Sequence, residues 1–335
     1  MATIILTPAD VRRLLPMQAC IEVVADALRA LSTGEALNPL RTGVRLPGER
    51  GLIGLMPGFL PGSGALGLKA IAFFPGNHGT DYDSHQGVVL LFDPANGVPV
   101  GIFDASEITA IRTAAASAVA TRVLAREDAG DLGLLGSGVQ ARTHLEAMAA
   151  VRKLRRVRVW SPDPHEREAF ARRESGRYGV AVESQESARE VVVGADLVCT
   201  ATAAREPVLA GEWLASGAHV NAVGACFPAA RELDTHAVVR SRLYVDRRES
   251  ALAEAGDILI PMKEGALTEA HIVAEIGEVL AGRAAGRTDA SEITLFKSLG
   301  VAVEDLAAAS YLLEQARRQG VGLRAELGGK RRGAS

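Results

Sequence analysis

Residues 132–141 read LGLLGSGVQA. Leu132, Leu134 and Leu135 make a short apolar run of the kind that fills a buried strand. Gly136-Ser137-Gly138-Val139-Gln140-Ala141 then fits G-x-G-x-x-A. In that pattern the first glycine allows a tight turn and the second lets a pyrophosphate approach the backbone. The small alanine lets the next helix pack on the strand. Free N–H groups at the helix start, backed by the helix dipole, hold phosphate. Glycine turns are common, so the motif alone is weak. Its place between a strand and a helix, at the head of a βαβ unit, points to a dinucleotide site.

Working outward, strands alternate with helices. DLGLLG (131–136), RRVRVWS (155–161), DLVCTAT (196–202), AHVNAVG (218–224) and RSRLYVD (240–246) read as strands. VQARTHLEAMAAV (139–151), PHEREAFARRES (164–175) and the short SAREVVVGA (187–195) read as helices. This alternation predicts a parallel sheet covered on both faces. The part before it differs. Residues 8–31 carry apolar positions at helical spacing, for one or two amphipathic helices. Residues 38–104 are apolar runs broken by Gly, Pro and Asn, with DPANG (93–97) as a hairpin connection. Residues 106–125 form a long Ala-rich helix that Ser106 or Thr109 could cap. The tail 291–320 reads as helical and returns to the first part, and 328–335 reads as frayed.

The totals exclude several classes of function. A chain of 335 residues has room for two cores, and its 48% hydrophobic and 23% charged residues are ordinary for a soluble globular protein. A net charge of −3 gives no bulk basic field for nucleic acid or an anionic membrane. Cys20, Cys199 and Cys226 are too scattered for a disulfide framework or a zinc set, which suits a reducing cytosol. No apolar run reaches the ~18–20 residues of a membrane span, and no signal-peptide layout opens the chain.

The strand after the glycine turn bears on which dinucleotide is held. An Asp or Glu at its end accepts a free ribose 2′-OH. Here Ser161 stands there, and a hydroxyl tolerates a 2′-phosphate that a carboxylate repels. Arg142, His165 and Arg167 are close in sequence to neutralise it, while Asp163 follows two residues late. NADP(H) is favoured over NAD(H).

Three cations precede the glycine turn: Arg45, Lys69 and Arg112. Lys69 lies in the apolar strand GLKAIAFF, so it either snorkels to a sheet edge or points into a pocket. Arg112 opens a helix of small residues, where a cation is unfavourable unless it meets an anion. Three cations on separate elements suit a hold on a carboxylate. His85, with Gln86, precedes GVVLLFD and could orient or protonate a substrate. His78, Asp81, Asp83 and His85 match no firm metal template, so no metal is expected.

The runs SHQGVVLLFDPANGVPVGIFDASEITAIRTAAASAVAT (84–121), LGSGVQA (135–141), GAHVNAVGACFPAARELD (217–234), YVDRRESALAEAGDIL (244–259) and TLFKSLGVAVED (294–305) together resemble the ornithine cyclodeaminase/mu-crystallin family. The wording is closest to its ketimine reductases and pyrroline-2-carboxylate reductases. The resemblance implies an α/β chain: a Rossmann doubly wound parallel sheet plus a smaller α+β domain. Residues 1–120 with 305–335 would bind substrate and dimerise, and 121–304 would bind the dinucleotide. It implies that Arg45, Lys69 and Arg112 gather the substrate carboxylate under the nicotinamide. Cofactor contacts would map onto Gly136, Ser137, Gly138, Val139, Gln140, Ser161, Thr200, Val223, Phe296 and Lys297. Cyclodeaminases of the family carry an Asp where this chain has Cys226, which argues against ornithine cyclisation and for imine reduction.

The implied activity is reduction of cyclic ketimine carboxylates, pyrroline-2-carboxylate or piperideine-2-carboxylate, to L-proline or L-pipecolate, by NADPH or NADH. The alternatives are an alanine or N-alkyl amino acid dehydrogenase, an ornithine cyclodeaminase, and a non-catalytic NADPH-dependent binder. A cytoplasmic homodimer is expected, with a small imino or keto carboxylate as its partner, and neither nucleic acid nor membrane.

Overall fold

The computed structural model describes residues 2–77 and 80–328. His78 and the expected fraying of 329–335 lie outside them. The chain divides into two compact units, Met1–Arg112 with Val301–Ser335, and Thr113–Gly300. The division expected from sequence lay later, at 120/121 and 304/305.

The first unit begins with β1 (Thr3–Leu6), α1 (Pro8–Leu14) and α2 (Met17–Ser32). Thr7 and Asp10 form a capping box that starts α1. Met17, Cys20, Ile21, Val24, Leu28 and Leu31 make the buried stripe of α2 at three- and four-residue spacing. Then come β2 (Thr42–Arg45), β3 (Leu52–Leu60), β4 (Ala65–Phe73), β5 (His85–Phe92) and β6 (Pro99–Asp104), an antiparallel meander. The β5–β6 turn is the expected DPANG, closed by Gly97 N–H donating to Asp93 O at 2.8 Å. α3 (Ala105–Leu124) starts one residue before the expected helix. Its cap is therefore neither Ser106 nor Thr109 but Asp104, whose Oδ1 accepts from Glu107 N–H at 2.7 Å. Ser106 instead donates to His85 O at 2.8 Å.

The second unit holds β7 (Asp131–Leu135), α4 (Val139–Val151), β8 (Arg156–Trp160), α5 (Pro164–Glu174), β9 (Val182–Ser184), α6 (Ala188–Val192) and β10 (Leu197–Thr200). It continues with β11 (His219–Ala222), α7 (Thr235–Val239), β12 (Ser241–Val245), α8 (Arg248–Glu254), α9 (Gly256–Lys263), β13 (Ile272–Glu275), α10 (Ile276–Leu280) and β14 (Ile293–Lys297). All eight strands pair in parallel in the order β13-β12-β14-β11-β10-β7-β8-β9. This is a Rossmann-type doubly wound sheet. One sequence expectation fails here: Ile293–Lys297 is not the start of a helix but a central strand. All five of its residues are buried between β11 and β12. A short strand buried on both faces shows no apolar-polar alternation that separates it from a helix.

The chain then returns to the first unit as α11 (Ala302–Gln319) and β15 (Leu323–Ala325). The first sheet has the order β15-β1-β6-β5-β4-β3-β2. α11 lies on α2 and on one face of β3, β4 and β5. Gly67 of β4 makes that approach possible. A Cβ there would sit 2.0 Å from Leu90 O and 3.1 Å from Leu306 Cδ2 of α11.

Candidate functional site

The first unit brings two of the expected cations together and fastens both to one acid. Lys69, in the middle of β4, points to the α11 face and is 3% exposed. Arg112, on α3, is 4% exposed. Asp305, in the first turn of α11, is fully buried between them. Its Oδ2 is 2.8 Å from Lys69 Nζ, and its Oδ1 accepts from Arg112 Nε at 2.9 Å. Arg112 Nη1 donates to Glu304 Oε2 at 2.8 Å. Arg112 is the eighth residue of α3, beyond the first turn where the helix dipole acts, so the anions it meets answer its burial rather than a place at the helix start. Those anions, Glu304 and Asp305, were not singled out in the sequence. Two acids in a first helical turn read as ordinary partners of the helix dipole.

Burial works hardest against the Lys69 charge, followed by the neighbouring Arg112. Asp305 opposes them, and the pKa settles at about 8. For Arg112, burial is outweighed by Asp305 and Glu304, so the guanidinium is held above its ordinary value. Burial likewise resists the Asp305 charge, but Arg112 and Lys69 hold its carboxyl below the usual range.

Arg45 is not in this cluster. It is the last residue of the exposed edge strand β2. Register explains why. Arg45 pairs with Leu52, Leu52 with Phe73, and Phe73 with His85, which is one row across the sheet. Lys69 stands in another row, opposite Met56 and Val89. The two rows are four residues apart, about 13 Å along a strand. Extending the Thr42–Leu55 pairing by one residue brings Arg41 to the Lys69 row. The Arg41 charge also lowers the Lys69 pKa, though less than burial and Arg112 do. The sequence reading missed it because strand register is not written in a single strand.

His85 packs on Phe73, ring centroids 4.6 Å apart, with Nδ1 3.1 Å from Ser84 Oγ. Desolvation and then the Lys69 charge hold its imidazole below the ordinary value. Among the described residues no three His, Cys, Asp or Glu side chains form a group able to hold a metal ion.

The second unit carries the glycine turn. Gly136 has φ +114°, and a Cβ there would meet Ala201 O at 2.5 Å, so only glycine fits. Gly138 is the N-cap of the thirteen-residue α4, and no side chain caps it. A Cβ on Gly138 would meet no protein atom within 4 Å. An uncapped helix start beside room left by a missing side chain fits a bound pyrophosphate. Val139 is exposed in the first turn of α4, and Gln140 follows it. Ser137 Oγ donates to Ser161 Oγ at 2.9 Å, tying the turn to the end of β8. Asp163, two residues beyond Ser161, caps the next helix. Its Oδ1 accepts from His165 N–H at 2.8 Å as the cap of α5. Arg167 Nη1 donates to Ser161 O at 3.2 Å.

The other expected cofactor residues lie at the carboxyl ends of β10, β11 and β14, where parallel sheets bind ligands. Their side chains are largely engaged inside the protein. Thr200 Oγ1 donates to Glu232 Oε2 at 2.7 Å. Phe296 is fully buried, and Lys297 Nζ is 2.9 Å from Asp257 Oδ2. Val223 N–H donates to Thr200 O at 2.9 Å. Glu232, also missed in the sequence, accepts from the hydroxyl and N–H of Thr202 and from Gly224 N–H, each at 2.7 Å. It thereby braces the loop that carries the half-buried Cys226.

With this geometry in place, comparison with known proteins is direct. Residues 1–320 match the ornithine cyclodeaminase/mu-crystallin family. The chain belongs to that family. One family member, the ketimine reductase mu-crystallin of Mus musculus, is 43% identical over 281 residues, covering 84% of this chain and 86% of its own. The structure of Thermococcus litoralis Delta(1)-pyrroline-2-carboxylate reductase in complex with NADH and L-proline superposes with a TM-score of 0.94. It is 42% identical and covers 96% of this chain and 99% of its own. An archaeal alanine dehydrogenase dimer with bound NAD superposes at 0.92, with 32% identity over 97% of this chain and 99% of its own.

Proposed function

We propose that this chain is an NAD(P)H-dependent oxidoreductase acting on C=N bonds. It reduces cyclic ketimine carboxylates, pyrroline-2-carboxylate or piperideine-2-carboxylate, to L-proline or L-pipecolate. The observation that carries this is the buried Lys69–Arg112 pair, held ready by Asp305. Lys69 and Arg112 offer a substrate carboxylate charge-assisted bonds, and Arg41 adds its charge from the same row of the sheet. Arg41 takes the role the resemblance had suggested for Arg45. The relative that binds NADH and L-proline supports the substrate class.

The first unit binds substrate and the second the dinucleotide. Gly136 to Gln140 and the uncapped start of α4 would hold the pyrophosphate, and Ser161 the adenosine ribose. NAD(P)H, when bound, supplies the hydride for the imine carbon. Arg41, Arg112 and Lys69 fix the carboxylate and thereby the adjacent C=N carbon. Lys69, as ammonium, donates a proton to the imine nitrogen, leaving a neutral amine on Lys69 that solvent reprotonates. His85 lies along the same sheet face in the Arg45 row, four residues from Lys69, and feels the lysine charge without a place at the carboxylate. NADPH is the preferred cofactor, because β8 ends on the Ser161 hydroxyl rather than a carboxylate and Arg167 is anchored beside it.

The protein works as a homodimer. The face of the first sheet turned away from α11 exposes Val44, Ile53, Leu55, Leu66 and Val88 together. That is a contiguous apolar surface rather than scattered residues. No helix among the described residues is long and apolar enough to cross a membrane, and the few, scattered cysteines fit the cytoplasm. The test compares NADPH consumption on pyrroline-2-carboxylate with that on pyruvate plus ammonia or methylamine. Faster turnover of the cyclic imine is expected. Faster turnover of the open-chain pair would instead make the chain an alanine or N-alkyl amino acid dehydrogenase.

A further inference from the structure

We propose that Asp305 is a positioning residue of this reaction: its carboxylate bridges Lys69 and Arg112, fixes their geometry and keeps Lys69 charged. The proposal rests on the reading of Lys69 as a group that meets substrate. Three elements converge on this carboxylate. Lys69 comes from β4 and Arg112 from α3, while α11 delivers Asp305 from the far end of the chain. With one oxygen on each cation, a single rigid group sets the spacing between the lysine nitrogen and the guanidinium. Without it, two buried cations would repel each other across the sheet.

The charges facing Lys69 show why Asp305 matters. Arg112 on α3 and Arg41 before β2 both favour loss of the lysine proton, as does burial. Thr109 on α3 places a neutral hydroxyl 3.5 Å from Nζ. His85 on β5 feels the lysine charge and is itself held toward the neutral form. Glu304 on α11 bonds Arg112, and Cys20 on α2, near Arg112, is kept a neutral thiol by burial. Of these groups, Asp305 alone supplies both an opposite charge and a hydrogen bond in favour of the ammonium. Nine-tenths or more of each of the Lys69, Arg112 and Asp305 side chains is buried, so water does not screen the interaction.

Asp305→Asn keeps the shape and removes the charge. Two readouts are taken on the full-length protein. One is kcat/KM against pH with pyrroline-2-carboxylate and NADPH. The other is an NMR titration of ε-13C-labelled lysine, with the Lys69 signal assigned from Lys69→Met. An opposite charge at this distance moves a pKa by about 1–3 units. The Lys69 midpoint and the basic limb of kcat/KM should therefore fall together by about one pH unit or more. KM for the imine should rise, with NADPH affinity unchanged. A Lys69 midpoint that stays where the wild type has it overturns the proposal. If Asp305→Asn does not fold, Asp305→Ser, which leaves room for water, takes its place with the same readouts. Because the titration needs no turnover, a wild type that ignores cyclic imines would defeat the proposed function while the Lys69 titration still decides the role of Asp305.

Discussion

Arg41 and Arg45 sit four residues apart on the same extended segment, yet the sheet places them about 13 Å apart along the strand direction. Only Arg41 shares a row with Lys69. A charge-assisted hydrogen bond contributes about 1.5–3 kcal/mol. Arg41→Ala should therefore lower kcat/KM for pyrroline-2-carboxylate by about 10- to 100-fold, while Arg45→Ala stays within a few-fold of wild type. Steady-state kinetics of the two variants decide between them, and the reverse ranking would return the role to Arg45. Ser161 carries the proposed cofactor choice and tests it. Ser161→Asp places a carboxylate where a 2′-phosphate would lie, so the ratio of kcat/KM with NADPH to that with NADH should fall by tenfold or more. Lys69, Arg112 and the glycine turn stood out because a cation in an apolar strand, a cation in a helix of small residues and a G-x-G-x-x-A each break a local rule. Arg41, Asp305 and Glu232 were not. Each is ordinary in its own segment, and only tertiary register gives it a partner.

Among the elements, α11 has the most consequence for the site, because it carries Glu304 and Asp305 onto the sheet face that bears Lys69. Its seat depends on Gly67, where even a methyl group would collide with Leu90 O at 2.0 Å and press on Leu306. Gly67→Ala should destabilise the protein by about 1–3 kcal/mol through overpacking. It should also cost activity, because Asp305 is displaced from Lys69. Thermal unfolding and kinetics measure both, and an unchanged Tm would show that α11 is not held as described. Most elements of both units were readable from amphipathic periodicity and turn residues, as for α2, α4 and the DPANG hairpin. β14 was not, since five buried residues in a row carry no period. β9 and β13 are too short to show one.

On the scale of the whole molecule, two properties follow. His144 and His219 are buried in the second unit, and burial holds their pKa values at about 4 and about 3. His219 is locked between Thr294 Oγ1 at 2.9 Å and Asn221 Oδ1 at 3.2 Å. Both are neutral in the folded protein but take up protons below about pH 6.5 when unfolded. Their contribution is therefore complete above about pH 6.5 and is lost as pH falls toward the folded values. The loss is about 1.4 kcal/mol per pH unit for each histidine. Chemical denaturation between pH 7 and 5, above the carboxylate range, should show that decline, and a flat profile would mean that these rings are not buried neutral. The second property is assembly. Leu55→Glu places a charge in the middle of the exposed apolar sheet face, so sedimentation is expected to give a dimer for the wild type and a monomer for the variant.

The substrate class depends on one idea, that buried cations of the first unit hold an acid group beside the C=N bond. The most direct measurement compares wild-type kcat/KM for pyrroline-2-carboxylate with that for 1-pyrroline, the same ring without its carboxylate. With at least two charge-assisted bonds at stake, the carboxylate should be preferred by about 100-fold or more. Equal turnover of the two rings would contradict the assignment of Lys69 and Arg112 as the carboxylate site.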